Sequence, residues 1–196
     1  MRFSPNGLRL LGVFSLITKS ATTQAQAWPE RPVRLGVPFP AGGAADVVAR
    51  VIAQRVSKDL GQQVIVDNKS GAGGTIGTAE VAKGVADGYT LLLTTSSTHA
   101  ISPHLMPRLS YDAVKDFTPV AHLVDAASVV LVTQSLPVKT VAELIDYAKK
   151  HPDQLNYASS GNGTIVHLTT EAFKAQAGVF MTHVPYTGTA LAIPDV

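Results

Sequence analysis

Between Val33 and Thr95 the chain switches hydrophobic period several times, and the order of those switches admits few folds. Val33, Leu35 and Val37 alternate with Arg34 and Gly36, the two-residue period of a short strand. Pro38-Phe39-Pro40-Ala41-Gly42-Gly43 cannot extend that strand, because proline fixes the backbone and glycine loosens it. Val48, Ile52, Val56 and Leu60 then recur every four residues as one apolar stripe of a helix, which Gly61 is placed to end. Residues 64–66 read as a second strand, 70–74 as a flexible loop, and 75–83 as a short helix stopping at Gly84. Residues 89–95 (YTLLLTT) form a third strand without polar alternation, as expected when both faces are buried. Strand, helix, strand, helix, strand predicts a parallel α/β sheet.

The second half repeats the theme. Residues 96–118 are loop-rich, with Pro103 and Pro107 breaking any long helix, and strands are predicted over 120–124 and 129–133. Thr140-Val141-Ala142-Glu143 is a capping box, opening a helix that turns Leu144, Ile145 and Ala148 inward and stops near His151-Pro152. Residues 156–158 read as a strand, 164–177 as a helix and 181–184 as another strand. The pattern restarts near residue 126, which predicts two α/β lobes, 28–125 and 126–196.

The front of the chain says where it goes. Arg2 and Arg9 precede a short apolar run, residues 10–17, and a small-residue stretch ends in Ala25-Gln26-Ala27. That order predicts a secretory signal peptide cut after Ala27. The run is far shorter than the roughly 20 apolar residues that span a bilayer. Removing Arg2, Arg9 and Lys19 from the 16 basic residues leaves 13 against 14 acidic ones, a net charge of −1. With no basic run and no aromatic interleaving, nothing points to nucleic acid. The chain has no cysteine, which excludes disulfides, thiolate catalysis and cysteine metal sites, so a hydrophobic core must hold the fold. No His/Glu spacing suggests a metal, and no cofactor is predicted.

Three loops, 39–46, 70–75 and 159–164, lie after a strand and before a helix and are rich in glycine or hydroxyls. Unpaired N–H groups at a helix start bind anions, and glycine lets the anion come close. The same residues also serve plain turn geometry, which is the expectation for loop 70–75. Gly71, Gly73 and Gly77 miss the dinucleotide fingerprint by one residue, and there is no P-loop. Ser159-Ser160-Gly161-Asn162-Gly163 resembles a nucleophile elbow but lacks its G-x-S-x-G spacing, since Tyr157 and Ala158 stand before Ser159. A secreted serine hydrolase using Ser159 or Ser160 is the alternative from another class, with His99, His167 and Asp46 as conceivable partners.

Taken in order, Trp28-Pro29, Pro32-Val33-Arg34, PFPAGGAAD (38–46), DNKSGAGGTIGT (67–78), ADGYTLL (86–92), THAISPHL (98–105), YDAVKDFTPV (111–120), LNYASSGNGT (155–164) and HVPYTG (183–188) resemble the periplasmic substrate-binding proteins of tripartite tricarboxylate transporters, the Bug-type receptors. The resemblance implies a type II periplasmic-binding-protein fold, two α/β lobes closing on a small organic acid. It implies a monomeric, non-enzymatic periplasmic receptor that holds a di- or tricarboxylate, amino acid or aromatic acid and delivers it to membrane transporter components. Carried over by motif, the first lobe would contact ligand through Phe39, Ala41, Gly42, Gly43, Ala44 and Asp46, with Thr98 and His99 beside them. The second lobe would use Ser159, Ser160, Gly161, Asn162, Gly163 and Thr164, with Tyr186 at the cleft edge. Asp46 is expected to act as a helix N-terminal charge or water organiser, since like charges repel. Ala45, Ser70, Thr187 and Leu191 stand where many relatives have Thr, Pro, Lys and Pro, which bears on specificity. Family members also run well past this length. A truncated receptor with exposed apolar surface is therefore expected, and a fragment without activity is the companion alternative.

Overall fold

The structure, a computed structural model, describes residues 28–196, so the signal-peptide reading of 1–27 lies outside the described residues. Strand β1 (Val33–Val37) sits in the middle of a parallel sheet, between β2 (Val64–Asn68) and β3 (Thr90–Leu92). Its alternating side chains face two different helices. Val33, Leu35 and Val37 are buried and cluster with Ala49 and Ala53 of helix α1 (Ala44–Leu60). On the opposite face, a Cβ added to Gly36 would lie 2.7 Å from Cγ2 of Val81, so glycine lets α2 (Thr75–Ala82) rest directly on the strand. Beside that contact, the Arg34 guanidinium bridges Asp67 of β2 at 2.6 Å and Glu80 of α2 at 2.5 Å.

A short π turn, Ser97–Ile101, and α3 (Ser102–Leu105) follow the first sheet. Helix α4 (Val141–Lys150) precedes a second, two-stranded parallel sheet of β4 (Asn156–Ser159) and β5 (Thr182–Pro185). Helix α5 (Ile165–Ala177) connects these strands, and α6 (Thr189–Ala192) comes after them. Thr140 caps α4 as expected: its Oγ1 accepts the Glu143 N–H at 3.2 Å. The Glu143 carboxylate returns one residue further out than the usual box, accepting the Lys139 N–H at 2.6 Å.

Three expectations change. The innermost line of α1 is Ala49 and Ala53, while Val48 and Val56 are only partly buried against the core. Small residues permit close helix-to-sheet approach, yet they do not register as an apolar stripe. Strand β3 is shorter than 89–95 and not enclosed on both faces: Leu91 and Leu92 are half-buried because β3 is an edge, paired only to β1. The strands expected over 120–124 and 129–133 do not form, and their residues are exposed, Val120 at 83% and Val129 at 77%. These segments have strand-like side chains but pair with neither sheet, and a strand without a partner gains no ladder.

The Gly36–Val81 contact is directly testable. Gly36→Ala is expected to destabilise the chain by about 1–3 kcal/mol through overpacking. Adding Val81→Ala should recover part of that loss, measured as the shift in urea midpoint across a double-mutant cycle.

Candidate functional site

Because β1 is flanked by β2 on one side and β3 on the other, the chain reverses direction across the sheet at the β1/β3 boundary. Ligands of open α/β sheets sit at such a point, beyond the carboxyl ends of the strands. The loops there meet the second sheet's loops at close range. A Cβ on Gly73 would lie 3.2 Å from both the Asn162 carbonyl oxygen and Cγ2 of Thr164. One on Gly188 would come within 2.5 Å of the Pro40 ring. Ser97 Oγ accepts the Ile165 N–H, the first of α5, at 3.0 Å, joining the two halves by a hydrogen bond.

A cavity of about 350 Å³ lies in this junction, lined by Ala72, Gly73 and Met106 from one side and Gly161, Asn162, Pro185, Tyr186 and Thr187 from the other. That is the lower end of the range for small-molecule sites, about 300–1,000 Å³. Neither Lys nor Arg lines it. The nearby helices start without a cap from their own N-cap residues, Gly74 of α2 and Thr164 of α5, although Ser97 Oγ already takes the first N–H of α5. The Thr164 hydroxyl is turned away from its own helix and donates to the Gly161 carbonyl at 2.8 Å.

Residues 48–196 match the Tripartite tricarboxylate transporter family receptor domain. The chain belongs to that family. It is 38% identical over 191 residues to the "UPF0065 protein in tcbD-tcbE intergenic region" of Pseudomonas sp. strain P51, covering 96% of this chain and 56% of the relative. It is 38% identical over 196 residues to Protein BugT of Bordetella pertussis, covering 97% of this chain and 60% of BugT. It therefore spans little more than half the length of these curated relatives. Among solved structures, it resembles one described as a periplasmic transporter, at 43% identity and TM-score 0.84, over 86% of this chain and 57% of the other. R. palustris Rpa4515 with adipate follows at 43% identity and TM-score 0.78, over 86% and 56%. MatC from Rhodopseudomonas palustris with bound malate aligns at 37% identity and TM-score 0.78, over 85% and 57%. The chain thus has the α/β fold of periplasmic binding proteins, and its family consists of solute-binding proteins, not enzymes.

Within the receptor, the residues singled out by sequence separate into two groups. Gly161, Asn162 and Tyr186 line the cavity. Ala41, Gly42 and Ala44 are exposed at the start of α1, Gly43 is half-exposed, and Phe39 packs its ring against Gly74. Thr98 is fully buried: its Oγ1 meets Thr94 Oγ1 at 2.7 Å, and its carbonyl accepts the Tyr111 hydroxyl at 2.6 Å. The His99 Nδ1 lies 2.5 Å from Thr94 Oγ1, and its ring packs edge-on against Phe117. Asp46 is 3% exposed, with Oδ2 accepting Arg50 Nε–H and the Gly42 N–H, both at 2.9 Å. The hydrogen bond from Arg50 holds its carboxyl below the usual range, so it stays ionised and organises the 40–43 loop. Loop 70–75 is more than turn geometry, since Ala72 and Gly73 form one wall of the cavity. Met106 and Pro185 carried no sequence signal for a wall, whereas Thr187, a departure that bears on specificity, stands in it.

Ser159 Oγ lies 2.6 Å from His183 Nε2, the spacing of a nucleophile and base. Ser159 is 1% exposed, however, and its oxygen already accepts the Gly161 N–H at 3.1 Å. Ser160 donates to Thr164 Oγ1 at 3.1 Å. Both serines shape the loop from inside.

Burial pushes the His99 imidazole below its ordinary value, and it does the same to His183. Protons then bind the unfolded chain more readily, so stability is lost as pH falls below about 6.5 and is fully present above it. Urea titrations from pH 8 to 5.5 should show that loss, with a smaller loss in the His99→Asn variant.

Proposed function

We propose that this chain is the ligand-capturing portion of an extracytoplasmic receptor for a small carboxylate, delivering it to the membrane components of a tripartite tricarboxylate transporter. The observation that carries the reading is the meeting, beside one cavity, of the loops that lead into α2 and α5, at the Gly73–Thr164 contact. Backbone N–H groups at helix starts favour anions without any cationic side chain. The adipate and malate held by two similar proteins are acids of this size. Di- and tricarboxylates, amino acids and aromatic acids all fit this chemistry. The lobes divide near residue 125, with 28–125 and 126–196 closing on the ligand as a monomer. Asn162, on the cavity wall, and Ala44, at the start of α1, are the contacts this reading favours, and Tyr186 closes the edge. Residues 1–27 direct export to the periplasm and are removed.

A thermal melt of residues 28–196, alone and with malate, adipate and citrate, tests this. An acid present at 100 times its Kd should add about 2.7 kcal/mol of stability. A folded chain whose melt no acid moves overturns the reading. Gly73→Val would push Cβ and its methyls into Asn162 and Thr164, so this variant should melt cooperatively yet lose at least about tenfold in affinity.

A further inference from the structure

Below the cleft, three rings from three elements stack under the 159–164 loop. His167 of α5 and His183 of β5 lie with centroids 4.1 Å apart and planes 13° apart, and Tyr157 of β4 stacks on His183 at 4.8 Å. Each imidazole holds one end of the loop. His183 Nε2 meets Ser159 Oγ at 2.6 Å, and His167 Nδ1 accepts the Gly163 N–H at 3.1 Å. We propose that His167 and His183 are positioning residues of the ligand loop, holding its backbone donors in binding geometry only while His167 is uncharged. This rests on the carboxylate reading given above.

The argument is one of donors and acceptors. A nitrogen that accepts the Gly163 N–H carries no proton, whereas an imidazolium has N–H on both nitrogens. Protonated His167 would face the Gly163 N–H with a second donor, and that contact would be lost. The loop has little else to keep Gly163 in place. Gly161 and Gly163 both have positive φ, +125° and +72°; the loop's other hydrogen bonds hold Ser159, Ser160, Gly161 and Thr164, through one another and through the Tyr186 and Leu168 N–H groups. Releasing Gly163 disturbs the start of α5, whose N-cap residue, Thr164, follows it directly.

The charged and titratable groups around the pair set the balance. Glu171 of α5 accepts the Tyr157 hydroxyl and pairs with Lys174 at 2.7 Å, so its charge is already engaged. Lys174 disfavours a further positive charge on His183, as does a charged His167, and Glu171 opposes them. Stacked rings therefore take up one proton more readily than two.

Titration of the 15N-labelled protein by NMR, without ligand, tests the coupling. From pH 8 to 5 the Gly163 amide should shift and lose exchange protection with the same midpoint as the His167 ring nitrogens. In His167→Asn, whose side-chain oxygen replaces Nδ1 as acceptor, the Gly163 amide should stay protected and stop titrating. Calorimetry with malate, run on either side of that NMR midpoint, should then show weaker affinity on the acid side in the parent protein, and no such loss in His167→Asn. A Gly163 amide that ignores the His167 titration, or an unchanged pH profile in His167→Asn, overturns the inference. Should neither malate nor adipate bind at any pH, the carboxylate reading fails, and the NMR titration still decides the coupling.

Discussion

The placement of β1 between β2 and β3 governs what the rest of the chain can do. A central strand must be covered on both faces, and the sequence meets that requirement with Val33, Leu35 and Val37 against α1 on one face. On the other face it removes the side chain altogether, so that Gly36 admits Val81 of α2. Both helices then begin beyond the carboxyl end of the same strand. The first lobe's two helix starts are therefore neighbours because of how one strand is buried, before any ligand is considered.

Much of this was legible in the residues. The period changes marked β1, α1, β2 and α2, and the Thr140–Glu143 pair marked the start of α4. Those signals are local, carried by side chains a turn or a strand-step apart. What escaped was the consequence of meetings between distant segments. Ala49 and Ala53 are deepest because the sheet comes to them, and nothing in a run of alanines says so. Residues 120–133 look like strands and are not, because pairing needs a partner edge as well as apolar side chains.

The candidate site shows the same division. Glycine and hydroxyl content located the loops but could not say which atoms face the cavity. Thr98, His99, Ser159 and Ser160 belong to the wiring beneath those loops, each with hydrogen-bond partners inside the protein. Gly73 read in sequence as part of a turn and of an imperfect glycine fingerprint, yet it forms a wall, since its role depends on Asn162 and Thr164 arriving from the other half. Asp46 joins the two levels: a buried charge neutralised by Arg50 that also fixes the Gly42 N–H.

The absence of lysine and arginine from the cavity lining has an electrical consequence. A helix start attracts an anion with a dipole, and a dipole adds no net charge to the molecule. An acid held there would have no cation in the lining to pair with, so its field would not be cancelled locally by an ion pair. That field would reach beyond the cavity and be damped by added salt, whereas an ion pair's would be spent within it.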